Sequence, residues 1–80
     1  MQVSIRSTGP LRDALGPRRA LEVQAGATVA DALSLLGEEA AVPAGLLDRA
    51  AVSIGGAIVA RSQALAEGDE VALVVPAAGG

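Results

Sequence analysis

The sequence predicts an α+β domain over residues 1–75, in which one main helix lies across one face of a mixed sheet, followed by an extended tail at residues 76–80. Three observations predict this arrangement. Short segments of alternating apolar and polar residues, typical of half-buried strands, lie near both ends of the chain. A single helical stripe of apolar residues lies between them. The tail carries no bulky side chain.

Two alternating segments near the start predict a first hairpin. They cover residues 2–7 and 19–23, and each places its apolar residues on one face. Residues 11–16 suit either one helical turn or a loop, and Gly16-Pro17 ends that segment. The inward positions of the two strands are Val3, Ile5, Leu21 and Val23.

The helix is predicted to begin after Thr28, a good N-cap residue. Asp31 stands three residues later, where its carboxylate completes a capping box and favours the helix dipole. We expect Gly37 to be the C′ residue that ends the helix, with Glu38 and Glu39 on a solvated loop. The apolar stripe of this helix is Val29, Leu33 and Leu36.

The second half of the chain predicts three further strands. Residues 40–49 are ambiguous, although Pro43 suits the first turn of a short helix. Gly55-Gly56 stands between two short apolar runs and predicts a two-residue hairpin. Because two hairpins flank a helical crossover, we expect the first and last strands to be parallel and central.

The last strand, residues 70–75, follows a turn at Gly68 and is ended by Pro76, which lacks an N–H. The predicted core is Val3, Ile5, Leu21, Val23, Val29, Leu33, Leu36, Val52, Ile54, Leu65, Val71, Leu73 and Val75. Val74 alternates with these residues and is left on the outer face of the sheet.

Composition and charge exclude several classes of protein. A net charge of −3 and the absence of aromatic residues argue against nucleic-acid binding, which uses basic grooves and stacking platforms. No apolar run is long enough to span a bilayer, and no secretory signal is recognisable. We therefore expect a cytoplasmic protein with no nucleic-acid or membrane partner.

The side chains that usually carry catalysis are missing. Without His or Cys, the chain has no Ser-His or Cys-His nucleophile pair and no zinc site. The carboxylate pairs Glu38-Glu39 and Asp69-Glu70 are better explained by solvated faces than by acid–base work. We predict that the chain binds no metal and is not an enzyme acting alone.

The C-terminal tail is the remaining candidate for chemistry. The α-carboxylate of Gly80 is a poor electrophile, so a partner enzyme must activate it, for example as an acyl-adenylate that a sulfur nucleophile converts to a thiocarboxylate. A Gly-Gly end fits a narrow active site because it has no Cβ, although most chain ends are simply frayed. The predicted partner-binding residues are Val74, Pro76, Ala77, Ala78 and Gly79.

Four segments resemble the small ubiquitin-like sulfur carriers, which include the molybdopterin synthase small subunit and its thiamine-pathway relatives. They are residues 11–16, 26–33, 65–73 and the terminal Gly79-Gly80. The resemblance implies a β-grasp fold and ATP-dependent activation of Gly80 by a ubiquitin-activating-like adenylyltransferase. It also implies a thiocarboxylate that a synthase subunit or biosynthetic enzyme accepts as sulfur donor. The chain itself is expected to bind no cofactor.

Three departures from the family pattern leave the pathway open, with molybdopterin synthesis as the leading expectation. Residues 6–9 replace an aromatic-rich strand end, Gly55-Gly56 replaces Asn-Gly, and a single Pro76 stands where two prolines are common. Two other functions remain as alternatives. The chain could be a protein modifier conjugated through Gly80, or a β-grasp interaction module with an inert tail.

Overall fold

The computed structural model describes residues 1–42 and 45–75. Pro43 and the predicted tail, residues 76–80, lie outside the described residues, so the predicted boundary at residue 75 stays a prediction. The described elements are β1 (Gln2–Ser7), α1 (Pro10–Leu15), β2 (Arg18–Glu22), α2 (Val29–Glu39), α3 (Leu46–Arg49), β3 (Ala51–Ile54), β4 (Ala57–Ile58) and β5 (Glu70–Val74).

The five strands form one sheet in the order β2-β1-β5-β3-β4. β1 and β5 are parallel neighbours, and the other adjacent pairs are antiparallel. This confirms the predicted α+β arrangement, in which the first and last strands meet inside the sheet. The turn between β3 and β4 has positive φ at both Gly55 (60°) and Gly56 (84°), as a tight hairpin of this type requires.

Helix α2 begins as the capping box predicts. The Asp31 N–H donates to Thr28 Oγ1 at 3.3 Å, and the Thr28 N–H donates to Asp31 Oδ2 at 2.9 Å. The helix buries its apolar stripe against the inner face of the sheet. The buried residues of the helix are Val29, Ala32, Leu33 and Leu36.

The predicted helix end at Gly37 is wrong. α2 continues to Glu39, and the Ala40 N–H donates to the Leu36 carbonyl at 3.0 Å. A Cβ at position 37 would lie 3.7 Å from Leu47 Cδ1, an ordinary van der Waals distance, so the packing of α3 against α2 leaves room for a larger residue there. Gly37 therefore lies inside the helix, where its intrinsic cost is about 1 kcal/mol, and nothing in the packing requires a glycine.

The core agrees closely with the predicted list. Ile54 and Val75 are half-buried, and the other predicted core residues are buried. The sequence pattern did not identify Leu11 and Leu15, which α1 buries as well. A single helical turn has too little periodicity to reveal which of its residues point inward.

Within residues 1–42 and 45–75, Ser7 is the one polar residue that is buried, at 4% exposure. Its Oγ has no hydrogen-bond partner. An unsatisfied buried hydroxyl costs about 1–3 kcal/mol. We therefore expect Ser7→Ala to raise the free energy of unfolding by about 1 kcal/mol in denaturant melts. Ser4→Ala, at a half-buried outward position of the same strand, is the matched control. A loss of stability in Ser7→Ala would show that the hydroxyl has a partner.

The N-terminal ammonium group donates to Glu22 Oε2 at 2.8 Å and to the Val23 carbonyl at 2.9 Å. The Glu22 hydrogen bond raises the pKa of the Met1 ammonium above its ordinary value of 8.0, with a smaller contribution from the charge of Glu67 and an opposing effect of burial. The raised pKa stabilises the fold below about pH 8, and this stabilisation is lost as the pH rises through the pKa of the folded state. We expect Glu22→Gln to flatten this alkaline loss in melts between pH 7 and 10. An unchanged pH profile would contradict it.

Candidate functional site

The site predicted from the sequence begins where β5 leaves the sheet. Val74 pairs with Ala51 of β3 and is 46% exposed on the sheet face opposite α2, which we call the outer face. This confirms its predicted outward orientation. The other predicted site residues, Pro76, Ala77, Ala78, Gly79 and Gly80, lie outside the described residues, and their roles stay predictions.

The turn before β5 determines where this strand starts and therefore where the tail begins. The Gly68 N–H donates to the Gln2 carbonyl at 2.8 Å, and the Gln2 N–H donates to Glu67 Oε2 at 2.8 Å. The Ala66 N–H donates to Asp69 Oδ2 at 2.8 Å, which closes the turn. Gly68 has φ 82°, a conformation that other residues rarely adopt. The segment that resembles the sulfur carriers thus holds β5 in register with β1.

Strand register places four residues in one row across the outer face: Arg6, Ala72, Ser53 and Ile58. Arg6 is followed on its other side by Arg18 of β2. Among residues 1–42 and 45–75, the large apolar side chains that remain exposed to solvent are Ile58, at 81%, and Val74. The outer face therefore has an apolar side near β3 and β4 and a cationic side near β1 and β2.

Two arginines share one carboxylate oxygen on the cationic side. Arg18 Nη2 lies 3.0 Å from Glu70 Oε1, and Arg6 Nη1 lies 3.6 Å from the same atom. Sequence analysis did not identify this cluster. Alternation along β1 points Arg6 away from the buried face that Val3 and Ile5 occupy. The residues that lie beside Arg6 on the neighbouring strands depend on the strand register, which the sequence pattern does not give.

A shallow depression of about 260 Å³ lies between the two sides of the outer face. Its floor consists of the small side chains Ala72 and Ser53. A second depression, of about 390 Å³, lies between α2 and α3. The lining residues of the first are Arg6, Ser53, Gly55, Gly56, Glu70 and Ala72.

Arg61 beside the second depression has a structural role. Its Nη2 donates to the carbonyls of Leu47, Asp48 and Ala50 at 2.6, 3.0 and 3.1 Å. These bonds satisfy carbonyl groups at the end of α3, where the Leu47 carbonyl also accepts from the Ala50 N–H at 3.3 Å. Within residues 1–42 and 45–75, no His, Cys, Asp or Glu side chains gather in a group that could hold a metal ion. The helices in those ranges are also too short or too polar to cross a bilayer.

The fold is a β-grasp, the ubiquitin-like class, as three solved structures show. SAMP1 from Haloferax volcanii is 30% identical with a TM-score of 0.79, and the match covers 100% of both chains. A putative molybdopterin converting factor subunit 1 from Pyrococcus furiosus is 19% identical with a TM-score of 0.84, covering 96% of this chain and 99% of that one. A complex of subunits 1 and 2 of the molybdopterin-converting factor from Helicobacter pylori matches with 20% identity and a TM-score of 0.70, covering 100% of both chains.

The sequence model of the ThiS family matches residues 5–80, and the chain belongs to this family. No curated protein matches the chain. Family membership confirms the predicted resemblance to the small ubiquitin-like sulfur carriers. It also confirms that the chain is a carrier or small subunit and not itself an enzyme.

Proposed function

We propose that this protein carries sulfur as a thiocarboxylate at Gly80, after a ubiquitin-activating-like adenylyltransferase has adenylated that residue with ATP. The observation that carries the proposal is the extent of the family match, which runs from residue 5 through the terminal Gly79-Gly80. The fold supports it because β5 is held between β1 and β3. This strand ends at the exposed Val74, two residues before the predicted tail.

The proposed chemistry needs no side chain of this protein. The Gly80 carboxylate attacks the α-phosphorus of ATP and releases pyrophosphate, which leaves an acyl-adenylate. A sulfide nucleophile then attacks the acyl carbon, a C–S bond forms, and AMP departs as the C–O bond breaks. Because the chain contains no cysteine, the terminal acyl group is the one position on it for this sulfur. ATP belongs to the partner enzyme, and this chain binds no cofactor.

Two partners follow from this proposal. The first is the adenylyltransferase, which we expect to contact Val74 and to enclose Pro76, Ala77, Ala78 and Gly79. The second is a sulfur-accepting synthase subunit. The Helicobacter pylori structure, in which subunit 1 of the molybdopterin-converting factor is complexed with subunit 2, supports such a partner and favours molybdopterin synthesis as the pathway. We place these steps in the cytoplasm.

A protein modifier is the second candidate function. Its support is the 30% identity to SAMP1 over the full length of both chains, together with a second structure described as small archaeal modifier protein 1, at 29% identity. In this case the activated Gly80 acyl group would be attacked by a lysine amine of another protein, forming an isopeptide bond. All six cations of this chain are arginine, so copies of it would not branch through lysine.

Intact mass separates the two candidates. The purified protein is incubated with an adenylyltransferase of the ubiquitin-activating type from the same organism, ATP and sulfide. We expect a mass increase equal to sulfur replacing oxygen, dependent on ATP. Conjugates to other proteins without any thiocarboxylate would favour the modifier, and no ATP-dependent change in either assay would favour an interaction module with an inert tail.

A further inference from the structure

β2 is an end strand of the sheet, and one of its two edges is open. In the part of the chain that the structure describes, the sheet order begins with β2 and its paired neighbour is β1. An open edge presents unpaired N–H and C=O groups, which form a template for another strand. The opposite end strand, β4, has two residues, whereas β2 has five. β2 therefore offers the longer open edge.

Backbone hydrogen bonds at both ends of the β1–β2 pair show which residues of β2 face this edge. The Val23 N–H donates to the Met1 carbonyl at 2.7 Å, and the Ser7 N–H donates to the Pro17 carbonyl at 3.2 Å. Hydrogen-bonded and non-hydrogen-bonded pairs alternate in an antiparallel ladder, so the odd-numbered residues of β2 bond to β1. The even-numbered residues of β2, whose N–H and C=O groups point to the open edge, are Arg18, Ala20 and Glu22.

The hydrogen bonds of β1 lead to the same assignment. Ser4 is the partner of Ala20 in the register, and its N–H donates to the Asp69 carbonyl at 2.9 Å, away from β2. A residue in a strand directs its N–H and C=O to the same side, so Ser4 does not use the backbone groups of Ala20. Those groups of Ala20 are left for a strand that arrives at the open edge.

The charges along this edge are symmetric about Ala20. Arg18 and Glu22 lie two residues before and two residues after it, and both side chains are on the outer face. When two copies of β2 pair antiparallel with Ala20 opposite Ala20, Arg18 of each copy lies opposite Glu22 of the other. Opposite charges in such positions stabilise a strand pair, and like charges destabilise it.

Other antiparallel registers lack this match. Pairing Arg18 with Arg18, or Glu22 with Glu22, puts like charges opposite each other. Registers centred on Arg19 or Leu21 place Ala20 opposite the charged residues. In the register centred on Ala20, every even-numbered residue of β2 belongs to a hydrogen-bonded pair. Each such pair exchanges two N–H···O bonds, which gives about six across the interface.

Both charged side chains have bonding capacity left for this arrangement. Arg18 Nη2 donates to Glu70 Oε1 at 3.0 Å, which uses one of the five N–H donors of a guanidinium group. Glu22 accepts from the Met1 ammonium at Oε2, and its carboxylate has a second oxygen. The side chains of Arg18 and Glu22 are 61% and 77% exposed, so each is accessible to a second copy.

We infer that two copies of this chain associate through β2, with Ala20 opposite Ala20, and form one continuous sheet with five strands from each copy. The arrangement is isologous, because the same edge of both copies makes the contact. Because the contact is limited to one short strand, we expect a weak dimer that forms at high protein concentration.

This dimer leaves both copies free for the proposed chemistry. In each copy β5 is separated from β2 by β1, so the two β5 strands are five strand spacings apart, about 24 Å. They run in opposite directions, because β2 is antiparallel to its counterpart and each β5 is antiparallel to its own β2. The C-terminal ends of the two β5 strands therefore lie at opposite sides of the sheet, where each is reached separately.

Charge reversal tests the register. Arg18→Glu and Glu22→Arg each place like charges opposite one another when the variant pairs with itself. In an equimolar mixture the R18E copies carry two acidic residues and the E22R copies carry two arginines at these positions, so the two variants complement each other. Arg49→Glu is the matched control, because it makes the same change at an exposed position of α3. Sedimentation equilibrium over a concentration series at low salt measures the dimer.

We expect wild type and Arg49→Glu to dimerise alike, and Arg18→Glu and Glu22→Arg alone to dimerise about tenfold more weakly or worse. The mixture of the two variants should dimerise at least as well as wild type. Loss of the Glu70 and Met1 contacts does not explain such a recovery, because both variants keep their own loss in the mixture. Thermal melts verify that each variant is folded.

Amide hydrogen exchange of the wild-type chain tests the same interface without a substitution. Raising the protein concentration should slow the exchange of Arg18, Ala20 and Glu22, whereas Arg19 and Leu21, already bonded to β1, should change little. A wild-type chain that stays monomeric up to its solubility limit would overturn the inference. A dimer that both single variants form as readily as wild type, or that protects amides outside β2, would also overturn it. Each of these results leaves the mass test of Gly80 unaffected.

Discussion

Deletion of Gly80 is expected to abolish adenylation and thiocarboxylation while leaving the melting temperature unchanged. The deletion moves the terminal carboxylate back by one residue, about 3.3–3.6 Å along an extended chain. A misplacement of about 1 Å is enough to reduce an enzymatic rate 100-fold. The buried core lies between Val3 and Leu73, so the truncation removes none of it. ATP–pyrophosphate exchange and intact mass measure the loss, and thermal melts measure the stability.

Gly79→Ala is the graded companion to this deletion. It keeps the length of the tail and adds one methyl group beside the reacting residue, so we expect a slower but measurable reaction. A truncated chain that is thiocarboxylated as fast as the full chain would show that the carboxylate of Gly80 is not the group that the enzyme positions.

Leu33→Ala is expected to lower the free energy of unfolding by about 2–5 kcal/mol, the range for a buried leucine. Leu33 is 7% exposed and lies in the apolar stripe that joins α2 to the sheet. Small domains have about 5–15 kcal/mol of stability in total, so this loss is a large fraction of it. Denaturant melts at neutral pH measure the change.

Leu35→Ala is the matched control for that prediction. It makes the same chemical change in the same helix, but Leu35 is half-buried and packs against the edge of the core. We expect its effect to be less than half that of Leu33→Ala. Equal effects of the two substitutions would mean that α2 does not bury the stripe which the structure assigns to it.

Local signals were sufficient to predict most of the fold. The alternation in β1, the capping box at Thr28 and the Gly55-Gly56 turn each depend on residues close together in sequence, and each prediction was confirmed. Gly37 was predicted wrongly because a glycine after an apolar stripe usually ends a helix. In the structure the helical hydrogen bonds continue past Gly37, and the Ala40 N–H donates to the Leu36 carbonyl.

The parts of the candidate site that depend on residues close together in sequence could be predicted, and the parts that depend on strand pairing could not. The outward orientation of Val74 follows from alternation along β5, and the structure confirms it. The cluster of Arg6, Arg18 and Glu70 depends on the register of three strands, so no spacing in the sequence indicates it. The role proposed for Gly80 rests on the chemistry of the terminus and on the family resemblance.

The most direct test of the central claim is the mass of the C-terminal peptide from protein isolated from its own cells. Arg61 is the last basic residue, so tryptic cleavage releases residues 62–80 as one peptide. We predict a fraction of this peptide in which one oxygen is replaced by sulfur, with fragmentation placing the sulfur on Gly80. The same peptide found as free carboxylate together with isopeptide-linked branches on other proteins, and never with sulfur, would contradict the account.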